Sequence, residues 1–228
     1  MATGDHHTND PLEDFMLPER AERLRRGAAR RTRNLVVVLD GVHDPHNFAA
    51  VARSCDAFGL VDLHVIERDA RFRVRRKVSQ GAEKWLDIHR WANPGDCFAA
   101  LAAAGFDLWL ADGAGSRQVE AVPWPRRMAL VFGNEHAGAS DYLRQRAAGR
   151  FAVPMHGFAE SLNVSVAVGI SLAVGVRARI QALGRHGDLT AEQQRRLVGE
   201  WQRRSVRHGD RILSRLARDR EEARGDVG

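Results

Sequence analysis

The chain has 228 residues, of which 44% are hydrophobic, and a formal net charge of +6. This length allows one full domain with extensions, or at most two small domains, and the composition suffices for a packed core. Arg177 closes the longest apolar stretch, and the N-terminus has no hydrophobic signal segment, so we expect no membrane partner. The two cysteines, Cys55 and Cys97, indicate a reducing cytoplasm rather than a disulfide framework.

Apolar runs of strand length alternate with helical segments through the middle of the chain. The first run, Leu35 to Leu39, is continuously apolar and fits a strand that is buried on both faces. Further strands are predicted over 63–66, 86–91, 107–111, 128–132 and 151–153, and helices over 47–58, 94–104 and 140–147. This order predicts an α/β domain on a mostly parallel sheet with helices on both faces.

Both ends of the chain are basic and differ in character from the middle. A helical segment over 19–33 carries a strongly positive face, and charged amphipathic helices are predicted over 189–204 and 207–223, after a glycine-containing linker. We therefore divide the chain into a basic N-terminal extension (1–33), a central domain (34–183) and a basic helical C-terminal extension (184–228).

Arginines cluster over 20–33, 71–77 and 177–224. A solvated surface, or the codon usage of a GC-rich genome, would explain any one cluster, whereas three together favour a nucleic-acid partner that offers phosphates. The candidate RNA-binding residues are Arg25, Arg26, Arg30, Arg31, Arg75 and Lys84.

The stretch from Val153 to Gly175 combines a loop, a helix cap and an apolar helix. Pro154 ends a short strand because it removes a backbone donor, and Ser161 and Asn163 are good capping residues where the helix should begin. The helix has almost no charge before Arg177, which predicts burial nearly all round. A capped core helix is the plainer interpretation. The loop before the cap could also present backbone groups to an uncharged adenine or a methionine tail.

Two other candidate sites are weaker. The segment Gly113 to Gln118 imitates the start of a dinucleotide fingerprint, but its third glycine is missing. Pro123 and Pro125 also prevent the helix that would receive a pyrophosphate. His43 and His46 flank a proline without a third ligand, so we expect no metal and treat them as loop histidines or RNA contacts.

Three blocks at the ends of predicted strands carry the remaining polar side chains. The first contains Asn47 and Arg53, and an arginine on an otherwise apolar helix needs a partner or a ligand. The second, over 130–138, runs from a strand into a glycine turn with one carboxylate, Glu135, which could simply cap the turn. The third is the stretch over 153–175.

Together these blocks resemble the TrmH family of the SPOUT superfamily, tRNA guanosine 2′-O-methyltransferases that use S-adenosylmethionine. The resemblance runs from about Asn34 to Arg179. Its motifs are Val42-His43-x-Pro45-His46-Asn47, Arg53-x-Cys55-Asp56-Ala57-x-Gly59, Phe132-Gly133-x-Glu135 and Ser161-Leu-Asn-Val-Ser-Val-Ala167. The similar segment Ser79-x-Gly81-x-x-Lys84-Trp85 favours the tRNA-modifying branch over relatives that act on ribosomal RNA.

The resemblance implies a deep trefoil knot in the C-terminal part of the sheet, which forms the cofactor pocket. It also implies a homodimer, in which the first block lies close to the pocket of the other subunit. The adenosyl pocket would use Ala111, Gly133, Val153 and Leu162, mostly through backbone groups. Relatives often carry threonine at the position of Ala111, a difference that matters little if only the backbone binds.

The resemblance also implies the roles of the polar residues. Glu135, Ser161 and Asn163 would shape the pocket and the substrate side, and Asn47 would hold Arg53. Because a guanidinium stays protonated, we favour Arg53 as the electrostatic partner of a developing 2′-oxyanion, with a substrate phosphate accepting the proton. The alternative is the family's assignment of this arginine as the base. The chemistry requires no metal.

The predicted function is S-adenosylmethionine-dependent 2′-O-methylation of guanosine 18 in the D loop of tRNA, in the cytoplasm. One alternative is a methyltransferase for ribosomal RNA or for another tRNA nucleotide. The other is a non-catalytic RNA-binding module of the same fold.

Overall fold

The computed structural model describes residues 11–67, 81–113, 117–134, 137–209, 211–216 and 218. The chain forms two compact units, one over Arg30–Asp188 and one made from its two ends, Met1–Ala29 and Leu189–Gly228. The division into 1–33, 34–183 and 184–228 as separate domains stays a prediction.

The described residues contain regular helices and strands in the following order along the chain: α1 (Pro18–Ala28), β1 (Leu35–Asp40), α2 (Pro45–Ala57), β2 (Asp62–Ile66), β3 (Asp87–Trp91), α3 (Pro94–Ala103), β4 (Asp107–Ala111), β5 (Arg117–Gln118), β6 (Met128–Gly133), α4 (Asp141–Arg146), β7 (Gly149–Ala152), α5 (Val164–Leu183) and α6 (Ala191–Ser205). The seven strands form one parallel sheet in the order β3-β2-β1-β6-β4-β7-β5. The predicted parallel α/β class is therefore confirmed.

Alternate residues of β1 point to opposite faces of the sheet. Leu35, Val37 and Leu39 belong to one core cluster, and this cluster also contains residues of α2 and α5. Val36 and Val38 belong to a second cluster, which also contains residues of α3 and α4. The sheet is thus covered by helices on both faces, which explains why β1 is apolar along its whole length.

Several element ends differ from the prediction. Helix α2 begins at Pro45 because the Asp44 carboxylate accepts a hydrogen bond from the backbone N–H of His46 and proline suits the first helical position. Strand β7 lies over Gly149–Ala152, slightly before the predicted run. The two-residue strand β5 lies in a segment for which no strand was predicted, because such a short edge strand has too few residues to show a pattern.

Helix α5 is buried on one side only, so the expectation of burial nearly all round is wrong for the single chain. Val168 and Leu172 are buried, whereas Val166, Ile170 and Ile180 are exposed. By length and composition this 20-residue helix could cross a membrane, contrary to the expectation from its sequence. A core helix meets the same criterion, and α5 packs along α2 and contributes to the first core cluster.

Arg179, near the end of α5, is a buried charged residue, which the apolar pattern of the helix did not predict. The residue is 1% exposed, and its side chain donates to the carbonyl oxygens of Trp124 and Arg126, both at 2.9 Å. Asp188 accepts a third bond at 3.2 Å and also accepts from Thr32. This network ties the two ends of the larger unit together, and its partners are distant in sequence.

The smaller unit is built on the packing of α1 against α6. Trp201 is buried, and its ring lies beside Gly27, where a Cβ would be 3.4 Å from it. Thr190 and Gln193 form a capping box that starts α6. The helix predicted over 189–204 is therefore confirmed within two residues at each end. Of the helix predicted over 207–223, residues 209, 211–216 and 218 are helical, whereas 210, 217 and 219–223 lie outside the described residues.

Candidate active site

A cavity of about 210 Å³ lies at the carboxyl ends of β4, β6 and β7. Its wall comes from the segments that follow these three strands and from the start of α5. The rings of Phe132 and Phe151 meet edge to face at 6.2 Å, and Leu110 and Leu162 add further apolar surface to the same wall. The carboxyl edge of a parallel sheet is the usual ligand site of open α/β folds.

The four residues predicted for the cofactor all line this cavity. They are Ala111, Gly133, Val153 and Leu162, and the predicted Ser161 lies on the same wall. Ala111 and Gly133 are the last residues of neighbouring parallel strands, which is why residues far apart in sequence meet here. Their role in cofactor binding stays a prediction.

Gly133 allows a close approach of two backbone segments. A Cβ on this residue would overlap backbone atoms of Gly138 and Ala139 and would lie 2.7 Å from the Ala139 Cα. The turn is closed by hydrogen bonds between Asn134 and Gly138, and the Asn134 side chain also donates to the carbonyl of Gly41 at 3.0 Å. The predicted Glu135 lies outside the described residues.

Asn163 connects the cavity rim to helix α2. Its side-chain oxygen caps α5 by accepting from the backbone N–H of Ser165 at 2.9 Å, as predicted for a capping residue. Its amide nitrogen is then free to donate to the side-chain oxygen of Asn47 at 3.0 Å. Asn47 and Asn163 are thereby in contact. The contact between Asn47 and Arg53 that the family resemblance implies stays a prediction.

Arg53 lies on α2 with an exposed side chain, and Cys55 lies two residues further on the buried side. Burial raises the pKa of the Cys55 thiol, and burial together with the Asp40 charge raises that of Cys97 to about 12. Neither thiol can therefore supply a thiolate nucleophile near neutral pH. Within the described ranges, no group of three His, Cys, Asp or Glu side chains could hold a metal ion.

A charged group on the cavity wall was missed by the sequence interpretation. Asp112 follows β4, and its carboxylate accepts a hydrogen bond from the Arg144 guanidinium at 2.9 Å. Arg150 lies 3.8 Å from the same oxygen. Asp112 and Arg144 both line the cavity. Their spacing along the chain gives no signal, because the pair forms only when β4, α4 and β7 are placed side by side.

The predicted RNA-binding residues fall into different environments. Arg26, Arg30 and Lys84 are exposed. Arg25 forms an ion pair with Glu13, and the hydrogen bond between them raises the pKa of the Arg25 guanidinium. Arg75 lies outside the described residues.

Arg31 requires a correction. It is 8% exposed, pairs with the Asp56 carboxylate and donates to the carbonyl of Leu60 at 2.9 Å. Because its guanidinium is committed inside the larger unit, we remove it from the candidate RNA contacts.

The fold and the cavity define an open α/β protein that binds its ligand at the carboxyl ends of the strands. The chain belongs to the SpoU rRNA methylase family, which matches residues 34–173.

Two relatives carry names that describe different RNA substrates. The chain is 31% identical over 196 residues to the tRNA (guanosine(18)-2′-O)-methyltransferase of Aquifex aeolicus, covering 83% of this chain and 92% of that protein. It is 36% identical over 157 residues to a 23S rRNA (guanosine-2′-O-)-methyltransferase of Xanthomonas campestris, covering 68% of this chain and 63% of the relative.

Two solved structures share the fold. The A. aeolicus TrmH/SpoU tRNA modifying enzyme superposes with a TM-score of 0.74 at 29% identity, covering 83% of this chain and 98% of that chain. The SpoU methyltransferase AviRb of Streptomyces viridochromogenes, in complex with the cofactor AdoMet, gives a TM-score of 0.55 at 30% identity, covering 64% and 60% of the two chains.

Proposed function

We propose that this protein transfers a methyl group from S-adenosylmethionine to the ribose 2′-hydroxyl of guanosine 18 in tRNA. The observation that carries the proposal is the meeting of Ala111, Gly133, Val153 and Leu162 on one cavity at the strand ends. The substrate follows the relative from A. aeolicus, because the match covers most of both chains.

The cavity has the chemistry that an adenosyl group requires. The apolar side chains of Phe132, Phe151 and Leu162 suit a flat, uncharged adenine, and the close backbone approach at Gly133 leaves main-chain groups near the ligand. When bound, S-adenosylmethionine supplies a methyl group that is already activated by its sulfonium. The protein's own residues therefore have to align the hydroxyl and assist the loss of its proton.

Arg53 is the residue that we assign to the 2′-hydroxyl. A guanidinium stays protonated, so it stabilises the negative charge that develops on the 2′-oxygen, and a substrate phosphate accepts the proton. The hydrogen bond between Asn163 and Asn47 fixes the start of the Arg53 helix relative to the start of α5. Glu135, Ser161 and Asn163 would shape the substrate side, as the family resemblance implies.

We also propose a homodimer and a trefoil knot around the cavity. Successive segments after β4, β6 and β7 all supply cavity residues, as expected for a pocket formed where the chain is threaded. The exposed side chains of Val166, Ile170 and Ile180 give α5 an apolar outer surface, which a second copy of the chain would cover.

Ile170→Glu should therefore convert a dimer into a monomer, because it places a charge on the apolar surface of α5. Sedimentation velocity of the full chain measures the change. Leu17→Glu is the matched control, since Leu17 is an exposed leucine outside α5 and its replacement should leave the dimer intact. A wild-type monomer, or an unchanged sedimentation coefficient for Ile170→Glu, would contradict the proposed interface.

The arginines of the terminal helices should hold tRNA through its phosphates. Arg23 and Arg26 are exposed on α1, and replacing both with glutamine should weaken tRNA binding and flatten its salt dependence. Each lost phosphate contact lowers the slope of log affinity against log salt by about 1. The modified nucleotide should not change, because such contacts carry no base readout.

The matched control replaces Arg126 and Arg127, which are exposed at the amino end of β6, opposite the cavity. This variant loses the same two charges and should keep the wild-type salt slope. Equal slopes for the α1 variant and the wild type would mean that the arginines on α1 are only solvated surface.

The choice between RNA classes is tested by offering both. Radiolabelled S-adenosylmethionine is incubated with the protein and either total tRNA or total ribosomal RNA, each lacking the native methyl groups. We expect incorporation into tRNA, in agreement with a cytoplasmic enzyme of tRNA processing. Preferential labelling of ribosomal RNA would support the alternative suggested by the X. campestris relative, and labelling of neither would support a non-catalytic RNA-binding module.

A further inference from the structure

The ion pair on the cavity wall has no role in the chemistry described so far. Asp112 and Arg144 both face the cavity, with side chains 17% and 34% exposed. A partly buried pair interacts more strongly than one on an open surface, because water screens it less. The pair is therefore a fixed electrostatic feature of the ligand site.

The charges around the cavity suit a particular kind of ligand. Among the described lining residues there are two carboxylates, Asp112 and Glu160, and one guanidinium, Arg144. A ligand with a carboxylate beside an ammonium group matches a guanidinium beside a carboxylate. A ligand that carries only phosphate, such as a nucleotide, could also bind Arg144, but it would bring no cation to either carboxylate.

Arg144 has the geometry to bind a second carboxylate. One of its terminal nitrogens donates to Asp112, and the planar guanidinium offers further N–H donors in a fixed arrangement. Its other terminal nitrogen lies near Gly138, where an added Cβ would be 3.0 Å away. The hydrogen bond to Asp112 thus holds the orientation of this guanidinium at the wall.

We infer that Asp112 and Arg144 form the subsite for the amino-acid end of the cofactor, with Arg144 binding its carboxylate and Asp112 its ammonium group. This inference rests on the proposed function. Arg150, 3.8 Å from Asp112, adds positive charge next to the pair and does not line the cavity. The subsite would make binding depend on the amino-acid end as well as on adenosine.

The test measures the affinity of the full chain for two ligands by calorimetry. Both ligands contain a neutral thioether sulfur in place of the sulfonium. S-adenosylhomocysteine carries the amino-acid end, whereas 5′-methylthioadenosine keeps the adenosine and lacks that end. Wild-type protein should bind the former more tightly. Arg144→Ala should lower the affinity for S-adenosylhomocysteine by roughly 10- to 100-fold, the usual effect of losing a hydrogen bond between charged groups. Its affinity for 5′-methylthioadenosine should stay within about twofold, which also shows that the pocket is folded.

Two further variants sharpen the result. Asp112→Asn should also weaken S-adenosylhomocysteine selectively. Arg146→Ala is the matched control on the same helix, because Arg146 stacks on Tyr142 and does not line the cavity. It should leave both affinities unchanged.

Each other outcome overturns the subsite. If Arg144→Ala lowered the affinity for both ligands equally, the ion pair of Asp112 and Arg144 would be only a structural element of the wall. If Asp112→Asn lowered the affinity for both ligands, Asp112 would bind the ribose hydroxyls rather than the ammonium group. Equal wild-type affinities would show that the amino-acid end is not recognised. In these cases the proposed function stands, whereas a wild-type protein that binds neither ligand would overturn both.

Discussion

An Arg53→Ala variant is expected to lose methyl transfer by about 10²- to 10³-fold, the usual cost of removing one donor to a developing oxyanion. The loss should appear in the single-turnover rate at saturating tRNA and cofactor. Affinity for S-adenosylhomocysteine should be unchanged, because Arg53 is exposed on α2 and is absent from the cavity wall.

Arg53→Lys separates charge from geometry. A lysine keeps the positive charge but lacks the planar fork of donors, so we expect a severe loss of rate there too. Arg126→Ala serves as the control, because it removes an exposed arginine at the amino end of the sheet. Near-wild-type turnover by Arg53→Ala would remove this residue from the reaction.

A Gly133→Ala variant should lose cofactor binding almost completely. The added methyl group overlaps backbone atoms of Gly138 and Ala139, which cannot move aside as a flexible side chain could. The turn must therefore shift, which distorts the cavity wall and costs about 1–3 kcal/mol of folding free energy. Calorimetry should show S-adenosylhomocysteine binding weakened by at least about 100-fold, a loss that corresponds to ~2.7 kcal/mol.

Gly157→Ala is the matched control for this substitution. A Cβ at Gly157 would meet no described atom within 4 Å, although the residue lies in the loop between β7 and α5. Its cofactor affinity and melting temperature should stay close to the wild type. If Gly133→Ala bound S-adenosylhomocysteine normally, the cavity described here would not be the cofactor site.

The parts of the fold that sequence could predict are those encoded locally. The apolar run of β1 indicates a doubly buried strand, and Asn163 has both the residue type and the position of a helix cap. The strand order could not be predicted in this way. β6 lies between β1 and β4, although β4 precedes it in the chain. Local patterns do not contain that information, which comes from the packing of the whole sheet.

The site was predictable where a motif fixes the backbone and unpredictable where side chains meet across the fold. Gly133 and Leu162 stand in recognisable motifs, and both line the cavity. The pair of Asp112 and Arg144 depends on contacts between separate elements. Arg31 was predicted as an RNA contact because it lies in a basic cluster of the sequence. In the structure its guanidinium is paired with the Asp56 carboxylate.

The measurement that tests the central claim most directly uses two tRNA transcripts that differ at one atom. One is unmodified, and the other carries 2′-deoxyguanosine at position 18, the nucleotide named for the relative from A. aeolicus. After incubation with the protein and S-adenosylmethionine, mass spectrometry of nuclease fragments locates any added methyl group. We expect 2′-O-methylguanosine at position 18 of the unmodified transcript and no methylation of the deoxy transcript. A methyl group at another position, or equal methylation of both transcripts, would contradict the proposed function.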